Sequence, residues 1–111
     1  MTVKLLRLNE RYRDLTPGQA YVVIGIEGGE FRILNDAARP YLYSPRLFKV
    51  LDARQPHDWV AEIGDHGERY AYPPPLYSPG FFEDFLDDEP KAVRTFWRIL
   101  NQRPATIGKV A

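Results

Sequence analysis

Short apolar runs cut by turn residues fill the first half of this chain, and a helical periodicity appears only towards its end. Residues 3–8 form an apolar run with a β-branched start and read as a strand, and the polar stretch 9–14 after it reads as a loop. In Leu15-Thr16-Pro17-Gly18, Pro17 presets φ for the first central position of a turn and Gly18 accepts the positive φ of the second, so the chain reverses there. Ala20-Tyr21-Val22-Val23-Ile24-Gly25-Ile26 is β-branched and aromatic, and Glu27-Gly28-Gly29-Glu30 separates it from Phe31-Arg32-Ile33-Leu34-Asn35, the strongest hairpin signal in the sequence. Pro40-Tyr41-Leu42-Tyr43, opening on proline, suits an edge strand. Ser44 caps and Pro45 starts a single helical turn, and Phe48-Lys49-Val50-Leu51-Asp52 reads as a closing strand. Five short strands with tight turns inside about fifty residues are the pattern of a small barrel.

The second half changes character. After the polar connection 53–58, Trp59-Val60-Ala61-Glu62-Ile63 and Glu68-Arg69-Tyr70-Ala71-Tyr72 flank Gly64-Asp65-His66-Gly67 as a second hairpin. Pro73-Pro74-Pro75 ends it and favours extended polyproline geometry. Val93, Phe96, Trp97 and Leu100 fall at i, i+3, i+4 and i+7 on one helix face, with Asp87, Asp88, Glu89 and Pro90 at its start and Arg98 and Arg103 near its end. Pro104 is expected to close that helix.

The residues Leu15-Thr16-Pro17-Gly18, Tyr21-Val22-Val23, Phe31-Arg32-Ile33-Leu34-Asn35-Asp36, Tyr43, Phe48 and Val50 resemble a pattern in small uncharacterised bacterial and phage proteins with SH3-like barrels. The match covers residues 3–52; Gln19 stands where those proteins have lysine and Ala37 where they have glycine. The resemblance implies a fold and brings no catalytic residue with it, because fold does not fix function.

The expected architecture is therefore mainly β: an SH3-like small barrel of about five strands over 3–52, a hairpin and Pro-rich extension over 53–88, a C-terminal helix over 89–103 and a loose tail over 104–111, in one domain. With 44% hydrophobic residues, enough apolar surface is present for a compact core. Fifteen basic and fifteen acidic side chains cancel, which works against holding a polyanion by net charge. The absence of cysteine excludes disulfides, thiolate metal sites and thiol nucleophiles, and suits a reducing compartment. No segment has the apolar length of a signal core or a membrane helix, so the expectation is a cytoplasmic protein without a membrane partner.

Candidate chemistry is sparse. The acidic run with Glu83, Asp84, Asp87, Asp88 and Glu89 lacks the spacing of a calcium loop and reads as the solvated start of a helix. His57 and His66 match no zinc spacing, and Ser44 and Ser78 both precede proline in turns, so no metal site, cofactor or catalytic residue is nominated. Gly25, Gly28 and Gly29 lie between strands and are hairpin glycines. Pro74-Pro75-Leu76-Tyr77 matches a short polyproline recognition sequence, with an internal packing role expected instead.

The aromatic excess points to a partner. The expected function is a noncatalytic protein-binding or accessory module, phage- or immunity-related, whose surface joins Tyr41, Tyr43, Trp59, Tyr70 and Tyr72 with Glu83, Asp84, Asp87 and Asp88, and is bordered by Arg7, Arg39, Arg46 and Lys49. The alternatives are a nucleic-acid-binding barrel, ranked below a protein partner for the neutral charge balance, and a metal-dependent enzyme using Asp and Glu. Monomer and homodimer stay open.

Overall fold

The β-branched and aromatic runs become strands in the computed structural model, which describes residues 1–107 and side chains through Asn101. Seven strands form one antiparallel sheet: β1 (Thr2–Leu5), β2 (Ala20–Glu27), β3 (Glu30–Leu34), β4 (Pro40–Tyr43), β5 (Phe48–Asp52), β6 (Val60–Ile63) and β7 (Arg69–Tyr72). Two helices follow, α1 (Phe81–Leu86) and α2 (Pro90–Ile107). The chain divides into two compact units, Met1–Pro73 and a second that begins at Pro74.

In the first unit the strands run in the order β4-β3-β2-β1-β5, with β7 on β2 and β6 on β7. The sheet is mainly β and antiparallel as expected, but it is open: among the described residues no pairing joins β4 to β5, so the expected closed barrel is not formed by hydrogen bonds. Strand β2 spans both parts of the sheet. Its first half pairs with β1 (Val3↔Tyr21) and its second half with β3 (Ile26↔Phe31), with a register shift between Val23 and Gly25 that bends the strand. Where β1 leaves the edge of β2, β7 takes it over through Ile26↔Ala71 and Glu27↔Tyr70. The second hairpin is thus part of the sheet and not an appendage.

Turn chemistry sets these registers. Gly28 and Gly29 both take positive φ, 61° and 82°, which is what a tight two-residue hairpin needs between β2 and β3. Pro17 and Gly18 form the reversal before β2, closed by the Gln19 N–H donating to the Thr16 carbonyl at 3.2 Å, with Gly18 at φ 79°. Pro45–Leu47 makes a 3₁₀ turn capped by the Ser44 hydroxyl, which carries the chain from β4 to β5. Inside, Val3 and Leu5 of β1, Val23 and Ile26 of β2, Phe31 and Ile33 of β3 and Phe48 of β5 form the buried core, closed by Leu15, Tyr43 and Trp59.

The second unit is helical. The Pro-rich stretch expected to be extended is a 3₁₀ turn, Pro74–Leu76, with Leu76 buried, so it does not present a free polyproline ligand. The residues 81–86, read from sequence as the acidic approach to a longer helix, form the separate helix α1, which stops where Asp88 adopts φ 59° and donates its N–H to the Phe85 carbonyl at 3.0 Å. Phe82 and Phe85 of α1 meet Phe96 of α2 with ring centroids at 6.3 and 4.4 Å. Among the described side chains of α2, Ala92 and Phe96 are buried, and Val93, Trp97 and Leu100 flank them half-buried. The helical backbone passes the expected end at Arg103 and runs through Pro104 to Ile107, since an internal proline removes a single donor without necessarily ending a helix. Residues 108–111 of the expected tail lie outside the described residues.

Candidate functional site

Two polar networks fix the β2–β3–β4–β7 side of the first unit. The first joins the loop before β2 to the turn after β3. Asn35 is buried; its Nδ2 donates to Asp14 Oδ2 at 3.0 Å and to Tyr43 Oη at 3.1 Å, and the Tyr43 hydroxyl donates to the same Asp14 oxygen at 2.9 Å. Asn35 Oδ1 in turn accepts the N–H groups of Ala37 and Arg39, which ties down a turn in which Ala38 sits at φ 59°. Beside it, the Thr16 and Tyr21 hydroxyls donate to the two carboxylate oxygens of Asp36 at 2.6 and 2.7 Å, and Tyr21 Oη accepts the Thr16 N–H. Burial, then Asp36, raises the Tyr21 hydroxyl pKa above its ordinary value; burial, then the neighbouring Asp14, does the same at Tyr43. Thr16, Tyr21, Asn35, Asp36 and Tyr43 are therefore parts of one structural clamp between two loops.

The second network lies on the opposite face of β3. Arg32 is only 6% exposed although it sits between the core residues Phe31 and Ile33. Its guanidinium donates to Tyr72 Oη at 2.7 Å, to the Pro40 carbonyl at 2.7 Å and to Glu27 Oε1 at 3.0 Å, and Tyr72 Oη donates to that same Glu27 oxygen at 2.8 Å. The Tyr72 ring lies against Gly25, where any Cβ would run into it, so this glycine serves a close approach and not the hairpin turn. Burial raises the Tyr72 hydroxyl pKa, with Glu27 adding to the shift and Arg32 opposing it.

The aromatic and acidic residues expected at a contact surface are placed as follows. Tyr43, Trp59 and Tyr72 are buried, Tyr70 is half-buried, and of the five aromatics only Tyr41 is exposed. Glu83, Asp84, Asp87 and Asp88 are exposed in the second unit. His57 and His66 are exposed, and among the described residues no group of three or more His, Cys, Asp or Glu side chains is placed to hold a metal ion. Among the described residues, no helix is long and apolar enough to cross a membrane.

Apart from Tyr41 on β4 and Ile63 on β6, the exposed large apolar residues among those described lie in another region. Leu6 (54%), Leu8 (65%), Val50 (43%) and Leu51 (49%) are exposed, and all belong to β5 or to the segment that leaves β1. Val22, also exposed, pairs with Thr2 on the same part of the sheet. Lys4 of β1 stands directly opposite Lys49 of β5, and the next steps along this ribbon are Leu5↔Phe48 and the Leu6 N–H donating to the Leu47 carbonyl at 3.0 Å, which bring Arg7 and Arg46 to its end. Like charges facing each other across a ladder are unfavourable. Among the described residues none of Lys4, Arg7, Arg46 and Lys49 forms an ion pair. Asp52, the acidic residue at the far end of β5, is engaged by Arg54 at 2.6 Å, whose hydrogen bonds hold its carboxyl below the ordinary carboxylate range. Sequence reasoning placed Arg7, Arg46 and Lys49 at the border of a patch; the missing signal was the register that sets Lys4 against Lys49.

No family model, no curated protein and no solved structure matches this chain.

Proposed function

We propose that this chain is a noncatalytic binding module whose contact surface is the β1–β5 ribbon of its first unit. The observation that carries the reading is that five of the seven exposed large apolar residues among those described, Leu6, Leu8, Val22, Val50 and Leu51, lie on β5, on the segment leaving β1 or on the part of β2 that pairs with β1. An apolar group of this kind among charged neighbours is the usual mark of an interaction surface. The two buried networks support the same reading from the other side, because their donors and acceptors are directed at one another and hold loops in place.

The finer architecture within this reading is an opened SH3-like barrel. What supports it is the strand sequence itself: a β2–β3–β4 meander, a 3₁₀ turn, and β5 returning to pair with β1.

Selection of short peptides from a displayed random library tests the proposal. Peptides should enrich on the intact chain and be lost from Leu51→Asp, a variant whose exposed position leaves the thermal unfolding profile unchanged. Failure of any peptide to enrich, or retention of the same peptides by the variant, would overturn it.

A further inference from the structure

We infer that the outer edge of β5 accepts an extended segment of alternating acidic and apolar residues as an added strand. This rests on the binding-module reading and specifies the chemistry of the partner.

Three observations converge on that edge. First, β5 pairs with β1 only, so among the described residues its other edge carries no strand, and its backbone groups there can continue a ladder. Second, Lys4 and Lys49 face each other across the ribbon, with Arg7 and Arg46 one step beyond the Leu6–Leu47 hydrogen bond, and none of the four has an acidic partner among the described residues. An incoming acidic side chain beside Lys49 places an attractive charge next to a repulsive pair and halves its net charge. Third, the register shift between β1 and β5 leaves Leu51 as an extra residue beside the exposed Val50, so the same edge also offers apolar contact.

The combination selects among ligand classes. A phosphodiester backbone supplies the charge but neither strand hydrogen bonds nor apolar side chains for Val50 and Leu51. Neutral or basic strands meet the lysines that commonly deter edge pairing, so the feature that protects the edge also sets its preference.

The test titrates isotopically labelled chain with three short probes: a peptide alternating glutamate and valine, its counterpart with lysine for glutamate, and an oligothymidylate. The acidic peptide should bind about tenfold or more tighter than the basic one, with amide shifts centred on β5, and the double variant Lys4→Glu/Lys49→Glu should reverse the preference. A misfolded variant binds neither peptide, so the reversal reports charge and not loss of structure. Equal binding of the two peptides, shifts centred away from β5, tighter binding of the oligothymidylate, or loss of both peptides by a variant with an unchanged spectrum would each overturn the inference. Library peptides that bind at β5 without acidic bias would overturn it while leaving the binding module standing; the absence of any peptide ligand would remove both.

Discussion

Arg32 on β3 and Lys49 on β5 are cations of the same unit with opposite surroundings. Arg32 is buried and meets Tyr72, Pro40 and Glu27, so its capacity for hydrogen bonding is directed inward. Lys49 is exposed, faces Lys4, and has no ion-pair partner among the described residues. The same contrast holds for apolar residues: Phe31 and Ile33 of β3 are buried, while Val50 and Leu51 of β5 are exposed. Closed networks fix backbone geometry, and truncating one member leaves its partners buried and unsatisfied. Open charges and exposed apolar groups contribute little to the fold and remain available to a ligand. The difference teaches that the hydrogen bonds holding the loops lie on one side of the sheet and the unsatisfied charges on the other, which is where the proposed recognition surface falls.

The largest loss is expected from Gly25→Ala. A methyl group there collides with the Tyr72 ring, and moving that ring removes a partner from both Arg32 and Glu27. The collision together with the lost hydrogen bonds to charged groups should cost about 3 kcal/mol or more, measured as a fall in the urea midpoint at unchanged slope. Asn35→Ala comes next, since it removes the bridge to Asp14 and Tyr43 and leaves the Ala37 and Arg39 N–H groups without their acceptor; a loss of about 2–3 kcal/mol in the same measurement is expected.

Alkaline pH attacks the same side. Tyr72 has its pKa raised above 10.0 in the folded chain, so above that pH the unfolded state loses its proton first and stability falls with rising pH. Each buried tyrosine held neutral in this way steepens the fall by up to about 1.4 kcal/mol per pH unit. Denaturation series across pH 10 should show a shallower decline in Tyr72→Phe than in the intact chain. An equal slope in the two proteins would show that the Tyr72 hydroxyl is not held neutral by the fold.

Ala38→Gly should act in the opposite direction. Ala38 holds φ 59°, a conformation that glycine adopts without the Cβ penalty, and the substitution should stabilise the chain by about 1 kcal/mol in thermal or urea unfolding. The smallest effects are expected on the ribbon: Lys49→Ala and Leu51→Ala should each change stability by no more than about 0.5 kcal/mol while weakening any peptide bound there. A large loss of stability from either would erase the contrast.

What could be read beforehand follows from how local each signal is. β4, the 3₁₀ turn at Pro45 and β5 fall where the sequence places them, because Pro40, Ser44 and Pro45 act through their own backbone and nearest neighbours. Gly28 and Gly29 likewise announce their hairpin. Helix α1 went unread because six residues are too few for a periodicity to emerge, and its end depends on Asp88 taking a left-handed conformation. Arg32 was hidden for another reason: a charged residue between two apolar ones in a strand reads as the solvent face, and only the hairpin that brings Tyr72 over Gly25 makes that face a buried one. The burial of Tyr43, Trp59 and Tyr72 was hidden in the same way, since aromatic content does not distinguish a core from an interface. Lys4 and Lys49 are far apart in sequence, and their juxtaposition depends on strand order, which no local pattern encodes.

Site-resolved hydrogen exchange, with and without a library-selected peptide, is the most direct test of this division of labour. In the free chain the amides of β3 should exchange slowly and those on the outer edge of β5 quickly, and the peptide should slow β5 while leaving β3 unchanged. Uniform protection of both strands in the free chain, or peptide-induced slowing confined to β3 and β4, would contradict it.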